Sequence, residues 1–129
     1  MKKTLITVAA LFAAVAAIAQ PNGFGGWQMP EIKMEYSQKF ADVNYAGDDA
    51  VYHNMDIYLP KVEKDVYPVV VHIYGSAWFS NNSKGMADLG TIVQKLLDNG
   101  YAVVTPNHRS SADAKFPAQI NDIKAVIRF

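Results

Sequence analysis

The sequence predicts an α/β protein, because a helical pattern separates two short apolar runs that have the composition of buried strands. These runs cover residues 68–74 (PVVVHIY) and 101–105 (YAVVT), and residues 86–97 between them repeat apolar side chains every three or four positions. Two strands joined through a helix form a parallel pair. Near-continuous apolar strands of this kind fit a sheet that is covered on both faces.

A β-hairpin is predicted ahead of this unit. Residues 40–45 (FADVNY) and 51–59 (VYHNMDIYL) alternate in character and are separated by the turn-forming stretch AGDD at residues 46–49. Pro60 and the charged residues 61–65 then predict a solvated loop. The predicted order of elements is therefore β-β-β-α-β-α.

Both predicted helices carry an apolar face. The first is expected to pack on the sheet and to end at Gly100, a residue suited to a left-handed cap. Its apolar face is Met86, Leu89, Ile92, Val93, Leu96 and Leu97. The second helix is expected to begin near Pro117, with an apolar face of Phe116, Ile120, Ile123 and Ile127. Its pattern runs to Phe129 without a cap, so we expect the domain to be incomplete at this point.

The N-terminal segment has the organisation of a secretory signal peptide. A basic head at Lys2 and Lys3 precedes a stretch of about fifteen apolar residues that ends in small residues, with cleavage expected after Ala19. A membrane-spanning helix would need about 20 apolar residues, and this stretch is shorter and rich in alanine. We therefore expect a signal peptide at residues 1–19, a flexible leader at residues 20–39, and a periplasmic or secreted protein. Contact with a membrane is expected only during export.

Composition and charge exclude several functions. The chain has 12 basic and 12 acidic residues, and without residues 1–19 it has 10 basic and 12 acidic side chains. A mildly acidic chain lacks the basic surface that binds nucleic acid. The absence of cysteine excludes a disulfide framework and a cysteine nucleophile. The three scattered histidines give no metal-binding pattern, so no metal is expected.

The stretch most suggestive of chemistry is the end of the first apolar strand, residues 69–78 (VVVHIYGSAW). Side chains and free N–H groups at the carboxyl end of a parallel strand project into the crevice where ligands bind. The small residues Gly75, Ser76 and Ala77 would let the backbone approach a reacting group closely, and paired N–H groups there could stabilise an oxyanion. A plain turn after a strand would suit the same residue types, so both interpretations stay open.

Three segments together resemble the first half of an α/β-hydrolase domain. They are residues 68–78 (PVVVHIYGSAW), 98–109 (DNGYAVVTPNHR) and 114–129 (AKFPAQINDIKAVIRF). Over residues 40–129 the chain is similar to secreted esterases and lipases with an HGG-type oxyanion motif, including feruloyl and acetyl-xylan esterase-like members. This resemblance implies the N-terminal portion of an α/β-hydrolase sheet, and hydrolysis of a carboxylic ester by a serine, a histidine and an acid.

The resemblance also implies roles for the loop residues. Tyr74 stands at the family's usual histidine, Gly75 and Ser76 stand at its first two glycines, and Ala77 and Trp78 match its small residue and its aromatic residue. The implied oxyanion donors are the backbone N–H groups of Gly75 and Ser76, since every residue except proline has such a group. Trp78 and Tyr74 are the implied substrate contacts.

The resemblance places the catalytic triad outside this chain. The family's serine lies in a G-x-S-x-G elbow after the next strand, and its acid and histidine follow that serine. Ser83 comes nearest to an elbow, but NNSKG has Asn at the first glycine and follows no strand. His53, His72 and His108 precede the elbow, so each is expected to be structural, with His72 in the core on its buried strand.

The family segment also predicts an ion pair between Arg109 and Asp122. This pair would brace the loop after the second apolar strand against the last helix. The alternative is two solvated charges, which would contribute about 0–1 kcal/mol to stability.

Together these observations predict an exported carboxylic-ester hydrolase of the serine type that needs no cofactor. Its expected substrates are small-molecule esters or acyl and feruloyl esters of polysaccharide, and the chain itself is expected to be an inactive N-terminal fragment. Two alternatives stay open. One is a secreted serine peptidase on the same fold, and the other is a non-catalytic exported binding module.

Overall fold

A computed structural model describes residues 32–129, which form a four-stranded mixed sheet with one helix packed on each face. The elements are β1 (Gln38–Asn44), β2 (Asn54–Leu59), β3 (Val69–Val71), α1 (Gln94–Asp98), β4 (Ala102–Pro106) and α2 (Ala118–Arg128). The spatial order of the strands is β1-β2-β4-β3. The pairs β1–β2 and β2–β4 are antiparallel, and β3–β4 is parallel. This mixed sheet with a helix on each face confirms the predicted α/β class.

The predicted hairpin is confirmed, although its connection is longer than expected. β1 pairs with β2 from Gln38 opposite Leu59 to Asn44 opposite Asn54. The sequence placed the second strand from residue 51, but Val51–His53 forms a short 3-10 turn before β2 begins. The Asn44 side chain stabilises this connection, because its Oδ1 accepts the N–H groups of the three residues from Ala46 to Asp48 at 2.8–3.2 Å.

The predicted parallel pair is confirmed, with Val69 opposite Ala102 and Val71 opposite Val104. The expectation that both strands are covered on both faces holds for β4, which is buried along its whole length, but not for β3. Val69 is 60% exposed, because within residues 32–129 β3 pairs with β4 alone and forms the edge of the sheet. His72 follows β3 and is half-buried, so the prediction of a core histidine there is wrong.

The helix before β4 is shorter than predicted, and it buries only part of the predicted apolar face. It starts with a π turn at Leu89–Val93, capped by Asp88, whose side chain accepts the Thr91 N–H at 3.1 Å. Val93 and Leu97 are buried against β2 and β4, whereas Met86 and Ile92 are exposed. The wider π turn shifts the residues after it relative to a regular helix.

The predicted cap at Gly100 is confirmed, with a φ of +80°. Its N–H donates to the Leu97 carbonyl and the Tyr101 N–H donates to the Leu96 carbonyl, which is the Schellman arrangement.

The buried face of α2 is not the predicted one. Phe116, which precedes the helix, and Ile127 are 80% and 69% exposed, and Ile120 is also exposed. The helix instead buries Gln119, Asp122 and Val126. Gln119 and Asp122 are buried because each makes several hydrogen bonds to the loop after β4, so satisfied polar groups outweigh the apolar stripe in orienting this helix.

The predicted leader extends too far along the chain. Met34 packs on the cluster around α1, and the Glu35 N–H donates to the Gln94 side chain at 2.7 Å. Residues 32–39 are therefore packed on the domain. The predicted signal peptide at residues 1–19 and the rest of the leader lie outside the described residues. Within residues 32–129, no helix is long and apolar enough to cross a membrane.

Candidate functional site

The loop that leaves β3 contains a strained turn. The Phe79 N–H donates to the Ser76 carbonyl at 2.9 Å, and the two residues between them, Ala77 and Trp78, have φ angles of +48° and +66°. A left-handed conformation costs a non-glycine residue roughly 1–2 kcal/mol. Such strain persists where the surrounding structure holds it, and it is concentrated at functional sites.

Two backbone donors come immediately before this turn. Within residues 32–129, neither the Gly75 N–H nor the Ser76 N–H donates a hydrogen bond. A Cβ on Gly75 would meet nothing within 4 Å, and its φ is not left-handed, so neither packing nor backbone conformation requires glycine there. The glycine leaves open space beside an N–H group that has no acceptor among the described residues, which is the arrangement that the oxyanion prediction requires. The role itself stays a prediction.

Tyr74 supports this loop from its buried side. Its ring is 5% exposed and stacks on the His108 ring with the centroids 5.0 Å apart. Burial raises the pKa of its hydroxyl, which therefore stays protonated and donates to the Ser80 carbonyl at 3.0 Å. Tyr74 therefore supports the loop through these two contacts, and its predicted contact with substrate stays a prediction.

Trp78 is the aromatic side chain that the loop presents to solvent, with 49% exposure. It borders a largely apolar cavity of about 310 Å³, lined by Ala77, Trp78, Ser111, Phe116, Gln119 and Ile120. The cavity therefore lies beside the strained turn, between the loop after β3 and the start of α2. Its position is compatible with the predicted substrate contact by Trp78, which stays a prediction.

The predicted ion pair between Arg109 and Asp122 is confirmed. Two guanidinium nitrogens of Arg109 lie 2.6–3.2 Å from the carboxylate oxygens of Asp122, and the Arg109 N–H donates to the same carboxylate at 2.9 Å. Burial alone would raise the pKa of Asp122, but the hydrogen bonds from Arg109 hold it below its ordinary value. The pair ties the loop after β4 to α2.

Within the described residues, the three histidines form no catalytic group with a serine. His53 lies 2.7 Å from the Asp48 carboxylate and 3.6 Å from that of Asp122. His108 is buried, and its Nδ1 contacts the Arg109 carbonyl. In residues 32–129 none of the three contacts a serine hydroxyl, and these residues contain no cluster of side chains that could hold a metal ion.

One buried charge cluster could not be predicted from the sequence. The Asp56 carboxylate, on β2, contacts the ammonium groups of Lys39 and Lys84 and accepts the Asp42 N–H at 3.0 Å. Burial opposes its ionisation, but these hydrogen bonds hold the pKa of Asp56 below its ordinary value. Lys84 also donates its backbone N–H to the Asn107 side chain at 2.9 Å. The cluster therefore fixes the C-terminal part of the loop that follows β3. Asp56 lies 14 positions from Asp42 and 28 positions from Lys84, so no local pattern in the sequence links them.

Comparison with known proteins gives one family. A model of the BD-FAE family, an α/β-hydrolase-type esterase domain, matches residues 55–129. No curated protein matches the sequence. Among solved structures, a bifunctional GH43-CE protein of Bacteroides eggerthii is 57% identical with a TM-score of 0.67, and a truncated carbohydrate esterase from gut microbiota is 54% identical with a TM-score of 0.69. Esterase B from Lactobacillus rhamnosis, at 22% identity and a TM-score of 0.63, shows the same fold.

The matched structures are much longer than this chain. The match to the GH43-CE protein covers 70% of this chain and 12% of that protein, and the match to the carbohydrate esterase covers 72% and 32%. The match to esterase B covers 96% and 38%. The chain therefore spans about an eighth to two fifths of the length of these relatives.

We expect Arg109→Ala to lower the free energy of unfolding by about 2–4 kcal/mol, because it leaves the buried Asp122 carboxylate without its partner. Chemical denaturation at pH 7 measures this change. Arg128→Ala, which removes an exposed arginine from the end of the same helix, is the matched control and should have little effect. Equal stability of the two variants would show that the ion pair does not brace the loop.

We also expect stability to fall in acid. The folded-state pKa values of Asp56 and Asp122 lie below the unfolded value of about 3.9. Their stabilisation is therefore fully present above that value and is lost as pH falls through the folded pKa values. Denaturation curves recorded between pH 6 and pH 2 test this, and Asp122→Asn should lose less stability over the same range. A wild-type curve that stays flat below pH 4 would contradict it.

Proposed function

The chain belongs to the BD-FAE family, and on this premise we propose that it supplies the oxyanion-binding loop of an exported carboxylic-ester hydrolase. The carbohydrate esterase and esterase B relatives support ester hydrolysis as the reaction class. The observation that carries the proposal is that the N–H groups of Gly75 and Ser76 donate no hydrogen bond within residues 32–129 and lie beside a turn that is held in a strained conformation. Strain of this kind is typical of a functional site.

The reaction that fits this loop is acyl transfer to a serine. A serine hydroxyl attacks the ester carbonyl, and negative charge develops on the carbonyl oxygen in the tetrahedral intermediate. The N–H groups of Gly75 and Ser76 would donate to that oxygen, and the alcohol then leaves as the carbonyl re-forms. Water attacks the acyl-enzyme in the same way and releases the acid. A donor of this type contributes about 2.7–4 kcal/mol to the transition state.

We propose that the serine, histidine and acid of this reaction lie on additional polypeptide. This chain matches only 12–38% of the length of these relatives. The remaining length leaves room for the rest of the domain. β3 is an edge strand within residues 32–129, and an apolar groove of about 760 Å³ runs beside it over β2 and β4. Both features suit a sheet that continues past β3. A strand added there would end beside Gly75.

We further propose that the protein acts outside the cytoplasm on acyl groups carried by carbohydrate. Export is supported by the signal-peptide pattern of residues 1–19. A carbohydrate ester as substrate is supported by the two relatives above 50% identity, one of which is described as a carbohydrate esterase. The cavity beside Trp78 has about 310 Å³, and an apolar cavity of about 150 Å³ already holds benzene. We propose that this cavity receives the acyl group, with feruloyl as the largest candidate.

The oxyanion role is tested by removing one donor from the full-length protein. Ser76→Pro deletes the N–H, whereas Ser76→Gly keeps it and serves as the matched control. We expect Ser76→Pro to lower kcat for p-nitrophenyl acetate by about 10²–10³-fold, and Ser76→Gly to stay within a few-fold of wild type.

Melting temperatures of both variants separate a lost donor from a lost fold. The Ser76 N–H makes no hydrogen bond within residues 32–129, so its removal should leave stability nearly unchanged. Wild-type turnover by a folded Ser76→Pro protein would overturn the oxyanion role. A wild-type protein without hydrolytic activity would favour a binding module.

The acyl-binding role of the cavity is tested with Trp78→Ala. Because the indole borders the cavity, we expect kcat/KM for a feruloyl ester to fall by about tenfold or more, with a smaller change for an acetyl ester. Phe79→Ala is the control, since Phe79 is 81% exposed and does not line the cavity. Equal losses on the two esters would assign Trp78 to packing alone.

A further inference from the structure

The strained turn is held by contacts from a second loop. The carbonyl of Trp78, one of the two left-handed residues, accepts the Ser111 N–H at 2.8 Å and the Ser111 hydroxyl at 3.1 Å. Ser111 belongs to the loop between β4 and α2. Two donors on one carbonyl fix the orientation of the peptide unit that follows Trp78, so this second loop contributes to keeping the turn in its left-handed form.

Asp113 is the residue that joins the two loops. The Asn81 side-chain amide lies 3.1 and 2.9 Å from its two carboxylate oxygens, and Asn81 follows the strained turn by three positions. The same carboxylate accepts the N–H and the hydroxyl of Ser110, each at 2.7 Å. Asp113 therefore contacts the loop after β3 on one side and the residue next to Ser111 on the other.

We propose that Asp113 is a positioning residue that holds the oxyanion loop against the loop after β4. This inference rests on the function proposed above and adds to it a residue that touches neither substrate nor oxyanion. Asp113 acts through Asn81 on one loop and through Ser110 and Ser111 on the other. The Gly75 and Ser76 N–H groups keep their direction because the turn that follows them is clamped at Trp78 and again at Asn81.

A carboxylate is the group that these contacts require. Asp113 accepts hydrogen bonds from three donor groups, which a carboxylate can do because it has two acceptor oxygens and no donor. The hydrogen bonds from Ser110 and Asn81 hold its pKa below the ordinary value, so it is charged at neutral pH. An asparagine at this position would keep one acceptor oxygen and direct an N–H₂ group at another donor.

The position of Asp113 makes the inference testable without unfolding the protein. Asp113 is exposed, whereas the loop after β4 is anchored independently by the buried Asn107 and His108 and by the Arg109–Asp122 pair. Loss of Asp113 should therefore loosen the contact between the two loops and leave the core intact.

The experiment uses the full-length protein and p-nitrophenyl acetate. We expect Asp113→Asn to lower kcat by about tenfold or more while KM changes less than twofold, because misdirected donors weaken the transition state rather than substrate binding. Asp49→Asn is the matched control, an exposed aspartate that makes no hydrogen bond within residues 32–129. Asn81→Ala should reproduce the loss, and the double variant should lose no more than either single one.

Amide hydrogen exchange gives a second readout that is independent of turnover. We expect exchange of the hydrogen-bonded amides of Phe79 and Ser111 to accelerate in Asp113→Asn and exchange in β4 to stay unchanged. Wild-type kcat in the Asp113→Asn protein, additive losses in the double variant, or unchanged exchange at Phe79 and Ser111 would each overturn the positioning role. An inactive wild-type protein would instead overturn the proposed function, and the exchange experiment would still decide whether Asp113 clamps the loop.

Discussion

The parallel pairing of β3 with β4 is the constraint on which the candidate site depends. Parallel strands have their C-terminal ends on the same side of a sheet, so the loop after β3 and the loop after β4 leave the sheet next to each other. The contacts between these two loops depend on this proximity, including the stacking of Tyr74 on His108 and the hydrogen bonds from Ser111 to Trp78. An antiparallel arrangement would place the two loops at opposite edges and leave the strained turn without support.

Satisfied polar groups, more than apolar packing, shape this edge of the sheet. Asn107 is fully buried and hydrogen-bonds to the Val51 carbonyl, the Asn82 side chain and the Lys84 N–H, which links the end of β4 to two separate parts of the chain. The Tyr45 hydroxyl lies 3.0 Å from the Asn107 carbonyl, and burial raises its pKa strongly, so it remains a donor. Groups of this kind are costly to bury unless all their hydrogen bonds are made, so each specifies one arrangement of the backbone around it.

The apolar core and the hydrogen-bonded polar groups at the end of β4 have different roles in the structure. On one face the cluster around Val93 and Leu97 attaches α1 to the sheet, and on the other the cluster around Met55 and Val126 attaches α2. These clusters secure the position of the strands but do not define the conformation of the loops. The Asp56 cluster and the Arg109–Asp122 pair connect the loops to this core, and both contribute stability that depends on pH.

The sequence alone determined the α/β class, the hairpin, the parallel pair, the cap at Gly100 and the esterase-like family, because these follow from local periodicity, from turn chemistry and from motifs of contiguous residues. It also located the Gly75–Ser76 loop and the Arg109–Asp122 pair. Tertiary structure alone decided which face of α2 is buried, because Gln119 and Asp122 find partners in a loop that periodicity cannot anticipate. It likewise decided the phase of the helix before β4, the burial of Tyr74, and the meeting of Asn81 with Asp113 across 32 positions. Contacts between residues so distant in sequence depend on how the sheet brings its loops together, and no local pattern records them.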